Sequence, residues 1–223
     1  MPITDQPSEH MNVERFEQEL PRLFERFPES PRPRDRRFEE VLEAVPGLAR
    51  ENNLALLNLA AGLLDPGESY VEVGSYRGTS LVAAMLGNDG EFVAIDDYSF
   101  EGATQEGLEA SLQRFGLEGA TIIGGDAFEL LEGGALKGRS VGVYYYDAAH
   151  DYESQLRGLQ LVEPHLAREA LLVVDDSDWD EVRRATADYV TGQPNAQLIF
   201  DIPGSDGWWE GMQVLAWREV RPA

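Results

Sequence analysis

The sequence contains no cysteine, and among its 223 residues Lys137 is the only lysine. The first absence rules out a disulfide framework, a thiolate metal centre and a cysteine nucleophile. Positive charge of any kind is scarce: 18 Lys and Arg face 41 Asp and Glu, a formal net charge of −23. A surface of that sign repels phosphate, so nucleic acid is not an expected partner. It attracts cations, divalent metals included. The same charge also serves solubility, so the useful question is whether particular carboxylates converge. No uncharged apolar stretch approaches the length of a membrane span. No basic segment followed by an apolar run and a small-residue cleavage site opens the sequence, so a cytoplasmic protein without a membrane partner is expected. The patterns G-x-G-x-x-G and G-x-x-x-x-G-K-S/T are missing too, which disfavours a nicotinamide dehydrogenase and a nucleoside triphosphatase.

What is present fits one sizeable core with a terminal extension. Residues 1–12 are polar and expected to fray. Apolar spacing predicts a helix over residues 13–27, weakened at Pro21, then a proline- and arginine-rich arm over 28–37. Helices are predicted over 38–48 and 52–64. Residues 1–65 thus read as a helical extension that covers a site or pairs subunits in a homodimer, and residues 66–223 as an α/β body. The body opens with a strand at 70–73, a turn containing Gly74 and Gly78, a helix over 81–86, and a strand at 92–95 ending on Asp96. That β-α-β arrangement holds an adenosine-type cofactor: glycines let the backbone turn and approach a ligand, and a carboxylate at the second strand tip accepts ribose hydroxyls.

Alternation then continues with strands at 120–123, 140–146 and 170–174, and with helices at 105–115, 127–131, 152–166 and 180–191. The last strands, 196–202 and 213–218, leave no room for a helix between them and must pair antiparallel. The predicted fold is α/β, a Rossmann-like doubly wound, mostly parallel seven-stranded sheet with a reversed edge strand.

In such a sheet ligands sit at the carboxyl ends of the strands, where Asp96, Asp126, Asp147, Asp175 and Asp176 all fall. Asp96 is placed for a ribose, and Asp126 for an exocyclic adenine amine. Asp147, Asp175 and Asp176 would repel one another without a counter-charge, and Mg²⁺, Mn²⁺ or Ca²⁺ would resolve that repulsion. His150, one turn after Asp147, is a candidate general base, as is Asp147 itself. Simpler roles stay open: Asp147 or Asp151 could cap the next helix, and Asp175-Asp176 the one after. Trp179, Trp208 and Trp209 could wall a substrate site or pack in the core.

Taken together, Val71-Glu72-Val73-Gly74-Ser75-Tyr76-Arg77-Gly78-Thr79-Ser80, Ala94-Ile95-Asp96, Gly125-Asp126-Ala127, the Asp147-x-x-His150-x-Tyr152 element and Val173-Val174-Asp175-Asp176 resemble a class I S-adenosylmethionine-dependent methyltransferase. Within that class the chain is similar to metal-dependent small-molecule O-methyltransferases of the macrolide-sugar and catechol type, over about residues 66–217. The resemblance implies that Glu72, Gly74, Ser75 and Gly78 line the methionine side of the cofactor, Asp96 the ribose, and Asp126 with Ala127 the adenine. It implies Mg²⁺ on Asp147, Asp175 and Asp176, with His150 as base. Asp175-Asp176, where catechol-type enzymes have Asp-Asn, and the absence of their lysine after the first metal aspartate favour a sugar or polyketide hydroxyl. A metal-independent methyltransferase remains an alternative, as does a non-methylating fold relative acting as a ligand-binding or hydroxylase-like protein.

Overall fold

A computed structural model describes residues 13–45 and 47–219 of the chain; the expected fraying of residues 1–12 lies outside the described residues. Helix α1 (Val13–Glu19) stops well before Phe27, because Pro21 cannot donate to the preceding turn and the chain tightens into a 3-10 turn over Leu20–Leu23. Helices α2 (Arg37–Ala44) and α3 (Glu51–Ala61) follow. The body then runs β1 (Glu68–Val73), α4 (Thr79–Met85), β2 (Glu91–Asp96), α5 (Gln105–Arg114), β3 (Thr121–Gly124), α6 (Ala127–Glu132) and β4 (Ser140–Tyr146). It closes with α7 (Tyr152–Val162), β5 (Leu166–Asp175), α8 (Asp180–Gly192), β6 (Ala196–Ile202) and β7 (Met212–Arg218). Pro164 ends α7 earlier than its apolar spacing suggests, and β5 correspondingly starts at Leu166 rather than near Ala170.

The seven strands lie in the order β3-β2-β1-β4-β5-β7-β6. All are parallel except β7, which pairs antiparallel with both β5 and β6 and forms the edge hairpin with β6. The chain reverses direction between β1 and β4, the crevice where doubly wound sheets take their ligands.

Alternation along each strand sends successive side chains to opposite layers. Tyr70 of β1 joins one apolar cluster and Val71 the other. The first cluster is built with Phe16, Phe38, Leu54 and Leu57 from the N-terminal helices, together with α4 and α5. The second is built with Leu131, Leu159 and Val182 from α6, α7 and α8. The N-terminal helices therefore complete one layer of the same sandwich. Trp208 shows this directly: it is 1% exposed, packs its ring against Phe24 and Phe27, and donates its indole N–H to the Pro28 carbonyl at 2.8 Å.

Candidate active site

A cavity of about 390 Å³ opens at the C-terminal ends of β1 to β5. At its first wall, Gly74 has φ +89°, and a Cβ there would overlap the backbone oxygen of Asp147. Only glycine lets the tips of β1 and β4 approach this closely. Ser75 lines the cavity next to it; the residue is 2% exposed, and its Oγ has no hydrogen-bond partner among the described residues. Asp96 at the tip of β2 accepts the Tyr76 N–H at 2.7 Å and the Tyr98 N–H at 2.6 Å. Those bonds fix its carboxylate on the cavity wall and leave lone pairs for a ligand. Asp126 caps α6 by accepting the Glu129 N–H at 2.9 Å, and it lines the cavity together with Ala127.

Two residues expected at the cofactor stand behind this wall. Gly78 (φ +84°) precedes α4 and packs against Leu108. Glu72 has no accessible surface; its carboxyl accepts from the hydroxyls of Tyr70 at 3.0 Å and Ser80 at 3.2 Å. Burial pushes it up to about 8, against the downward pull of those two hydrogen bonds.

The other end of the cavity is acidic. Asp147, His150 and Asp176 each offer one ligand atom, and those atoms all lie within 4.8 Å of one another. His150 Nε2 sits 2.9 Å from Asp176 Oδ2, while His150 Nδ1 and Asp176 Oδ1 are buried without a partner among the described residues. Asp176 has φ +51°, a turn that carries it onto the cavity wall while its neighbour Asp175 stays behind it. Asp175 is 2% exposed, takes the Asp176 N–H at 3.0 Å and lies 2.5 Å from the Tyr145 hydroxyl. That hydroxyl is also 3.1 Å from Asp147 Oδ2.

A phenol has one proton to give, so holding both carboxyls requires a second proton from one of them. The electrostatics agree. Burial, then the charge of Asp176, pushes Asp147 up to about 8, and burial, then the charges of Asp147 and Asp176, pushes Asp175 well above the carboxylate range. The protein alone thus leaves these acids short of positive charge. The converging carboxylates of Asp147 and Asp176 offer the oxygen ligands that a hard divalent cation takes.

The simpler readings of these acids separate cleanly. Asp151, not Asp147, caps α7, accepting the Ser154 N–H at 3.0 Å. Helix α8 starts with Trp179 at its cap position and no side-chain capping bond, so neither Asp175 nor Asp176 caps it. His165 lies before β5, at the end of that strand opposite the cavity, with its pKa lowered by burial. His10 lies outside the described residues. Of the three loop tryptophans singled out in the sequence, Trp208 is core, Trp209 lines the cavity, and Trp179 is half exposed with its ring 5.3 Å from that of His150.

Sequence reasoning missed Tyr145, although it sits two positions before Asp147 and so on the same face of the chain. It offered the N-terminal extension as a cover for the site but did not name the residues that line it, Leu48, Ala49, Asn53, Leu54 and Leu57. A buried asparagine pair in an apolar helix, Asn52-Asn53, was the available signal.

Comparison with known proteins agrees with this architecture. Residues 71–177, from β1 to just past β5, match the family described as a methyltransferase domain. The O-methyltransferase TomG from Streptomyces achromogenes, involved in tomaymycin synthesis and solved with SAM, is 18% identical; the match covers 83% of this chain and 91% of that one, with a TM-score of 0.65. An O-methyltransferase from Bacillus cereus in complex with SAH is 14% identical over 84% of this chain and 92% of that one, with a TM-score of 0.60. A protein from Corynebacterium glutamicum, 14% identical with a TM-score of 0.66, covers 94% of this chain and 99% of its own. No curated protein sequence matches significantly. The match to the methyltransferase-domain family spans the strands that build the cavity, and the fold is the one shared by these solved O-methyltransferases. Among the described residues no helix is long and apolar enough to cross a membrane.

Proposed function

We propose that the protein transfers a methyl group from S-adenosylmethionine to a hydroxyl of a small cytoplasmic acceptor, such as a sugar, polyketide or similar natural product, with the help of a divalent cation. The observation that carries this reading is that one cavity joins the adenosine-type wall to the acid cluster. On the first wall, Ser75 Oγ offers an unused donor, Asp96 accepts from a ribose, and Asp126 with Ala127 flanks a base. When bound, the cofactor supplies an electrophilic sulfonium methyl, and a Mg²⁺-like cation lowers the pKa of an acceptor hydroxyl.

The remaining work belongs to the chain. Asp147 and Asp176 hold the cation. Asp175 would join them only by giving up its bond to Tyr145; as it stands, it fixes Asp147 through that phenol and Asp176 through its amide. His150, which lines the cavity with its Nε2 2.9 Å from Asp176 Oδ2, is the base that takes the acceptor proton. The N-terminal segment covers the site and keeps water from the reacting atoms.

Calorimetry with adenosylhomocysteine tests the first half: binding is expected, and its absence sinks the methyl-transfer reading. Chelator treatment and Asp176→Ala test the second. Loss of a direct cation ligand should weaken Mg²⁺ binding by more than the roughly 10–100-fold that loss of an outer-shell partner costs, while adenosylhomocysteine still binds. Activity indifferent to both would instead favour metal-independent transfer through His150, the reading supported by its place on the cavity wall.

A further inference from the structure

Residues 97–104 join β2 to α5 and pass along the adenosine half of the cavity, where Asp97, Ser99 and Phe100 line it. Both ends of this segment are fixed. At the first, Tyr98 is left-handed at φ +56° and gives its N–H to Asp96. At the second, Thr104 caps α5 by accepting the Gly107 N–H at 3.0 Å, and the buried Leu108 of that helix packs against Gly78. The middle has little cover of its own: Phe100 is 61% exposed. A segment with so little buried surface opens at low cost unless something holds it.

Two residues of the turn after β1 hold it. Tyr76 (φ +48°) gives its N–H to the same Asp96 carboxylate and points its hydroxyl at the Glu101 carbonyl, 3.4 Å away. Its ring meets that of Phe100 edge-on, with centroids 5.5 Å apart. Arg77 stands outside the cavity. Its Nε donates to the Gly102 carbonyl at 3.1 Å, and its guanidinium lies 5.0 Å from the centroid of the Tyr76 ring. One side chain thus grips both the segment and the ring that supports it. Those partners are a carbonyl and a ring, in a chain with 41 acidic residues. The planar fork of the guanidinium suits this double contact, which a bare charge would not make. Gly102 is fitted to it: φ is +83°, and a Cβ there would stand 2.5 Å from Arg77 Nη2.

Resting on the methyl-transfer reading above, we infer that Arg77 is a positioning residue that sets how long the adenosyl cofactor and its demethylated product stay bound. It acts only through the segment it holds, fastening residues 98–102 as a strap across the adenosine half of the cavity. When the strap lifts, Ser99 and Phe100 leave the cavity wall, and Asp96 loses the Tyr98 N–H that fixes its carboxylate. Product release therefore passes through loss of the contact between Arg77 and Gly102. Such a step governs the dissociation rate more than the association rate.

The test measures adenosylhomocysteine binding to the immobilised full chain by surface plasmon resonance, which separates association from release. Arg77→Ala should speed release by roughly fivefold or more, the scale of one cation–π contact and one hydrogen bond together. Association should change by less than about twofold. Arg77→Lys keeps a cation and a donor and should recover part of the loss. Gly102→Ala pushes the guanidinium aside and should also speed release. Adding Arg77→Ala to it should change the rate by less than about twofold, because both act on one contact. Cooperative urea unfolding should persist in every variant, which separates faster release from a loosened fold. If Arg77→Ala does not unfold cooperatively, Gly102→Ala decides, with faster release supporting the strap and unchanged release refuting it. Release as slow in Arg77→Ala as in the wild type, or effects of the two substitutions that multiply in the double variant, overturns the strap inference alone. Failure of adenosylhomocysteine to bind the wild type overturns the methyl-transfer reading, and this inference with it.

Discussion

Glu72 has no accessible surface, and burial holds its proton up to about pH 8. In the unfolded chain the same carboxyl ionises near its ordinary value, about 4.3. The folded state therefore keeps a proton that the unfolded state loses, so stability is full below that value and falls as pH rises towards 8. At about 1.4 kcal/mol per pH unit, Glu72 contributes a loss on the order of a few kcal/mol. Glu72→Gln cannot ionise and should lose less stability than the wild type between pH 5 and 8.5, as read by urea unfolding. Equal slopes would show that Glu72 is charged in the fold. Asp147 titrates in the same direction and for the same main cause. A cation on Asp147 and Asp176 favours their ionised forms, so Mg²⁺ should raise the melting temperature more at pH 8.5 than at pH 5. The strand-tip acids were legible because an aspartate ending an apolar run needs a reason to be there. Which of Asp175 and Asp176 faces the cavity was not legible, because that depends on the positive φ of Asp176.

Helix α7 shows how an element's propensity and its packing can oppose each other. Gly158 is buried against the ring of Tyr146, and a Cβ at that position would overlap the ring carbons. Alanine is favoured over glycine inside a helix by about 1 kcal/mol, whereas overpacking a filled site costs about 1–3 kcal/mol. The clash involves a buried ring rather than a flexible chain end, so Gly158→Ala should lower the melting temperature. A higher value would mean that Tyr146 yields freely. The N-terminal helices follow similar logic on a larger scale. Phe16, Phe38, Leu54 and Leu57 sit in the same cluster as β1, β4, β5 and β7. A chain shortened to residues 66–223 should therefore lose cooperative unfolding and expose apolar surface to a dye, and a sharp, wild-type-like transition would contradict this. Sequence periodicity found these helices, and proline placement explains where α1 and α7 stop. It could not show which of their residues reach the cavity, because contacts such as that of Asn53 with the Trp209 N–H join positions far apart in the chain.

Across the whole molecule, 41 acidic residues outnumber 18 basic ones. Two effects of salt then compete. Screening weakens exposed ion pairs such as Arg183 with Asp178 and Asp201, each worth about 0–1 kcal/mol. It also weakens the repulsion among the many carboxylates in excess of the basic groups, which destabilises a chain this acidic. With acids so far in excess, repulsion outweighs the ion pairs. The melting temperature should therefore rise as NaCl goes from about 0.01 to 0.1 M, over which the Debye length shortens from about 30 to about 10 Å. This general effect can be separated from the cation site. Mg²⁺ at matched ionic strength should stabilise the wild type beyond NaCl, because it can occupy the place where Asp147, His150 and Asp176 converge. Asp176→Ala should abolish that excess and keep the rise with NaCl. If the variant kept both, the added stability would come from diffuse screening alone, and the acid cluster would lose its claim to a cation.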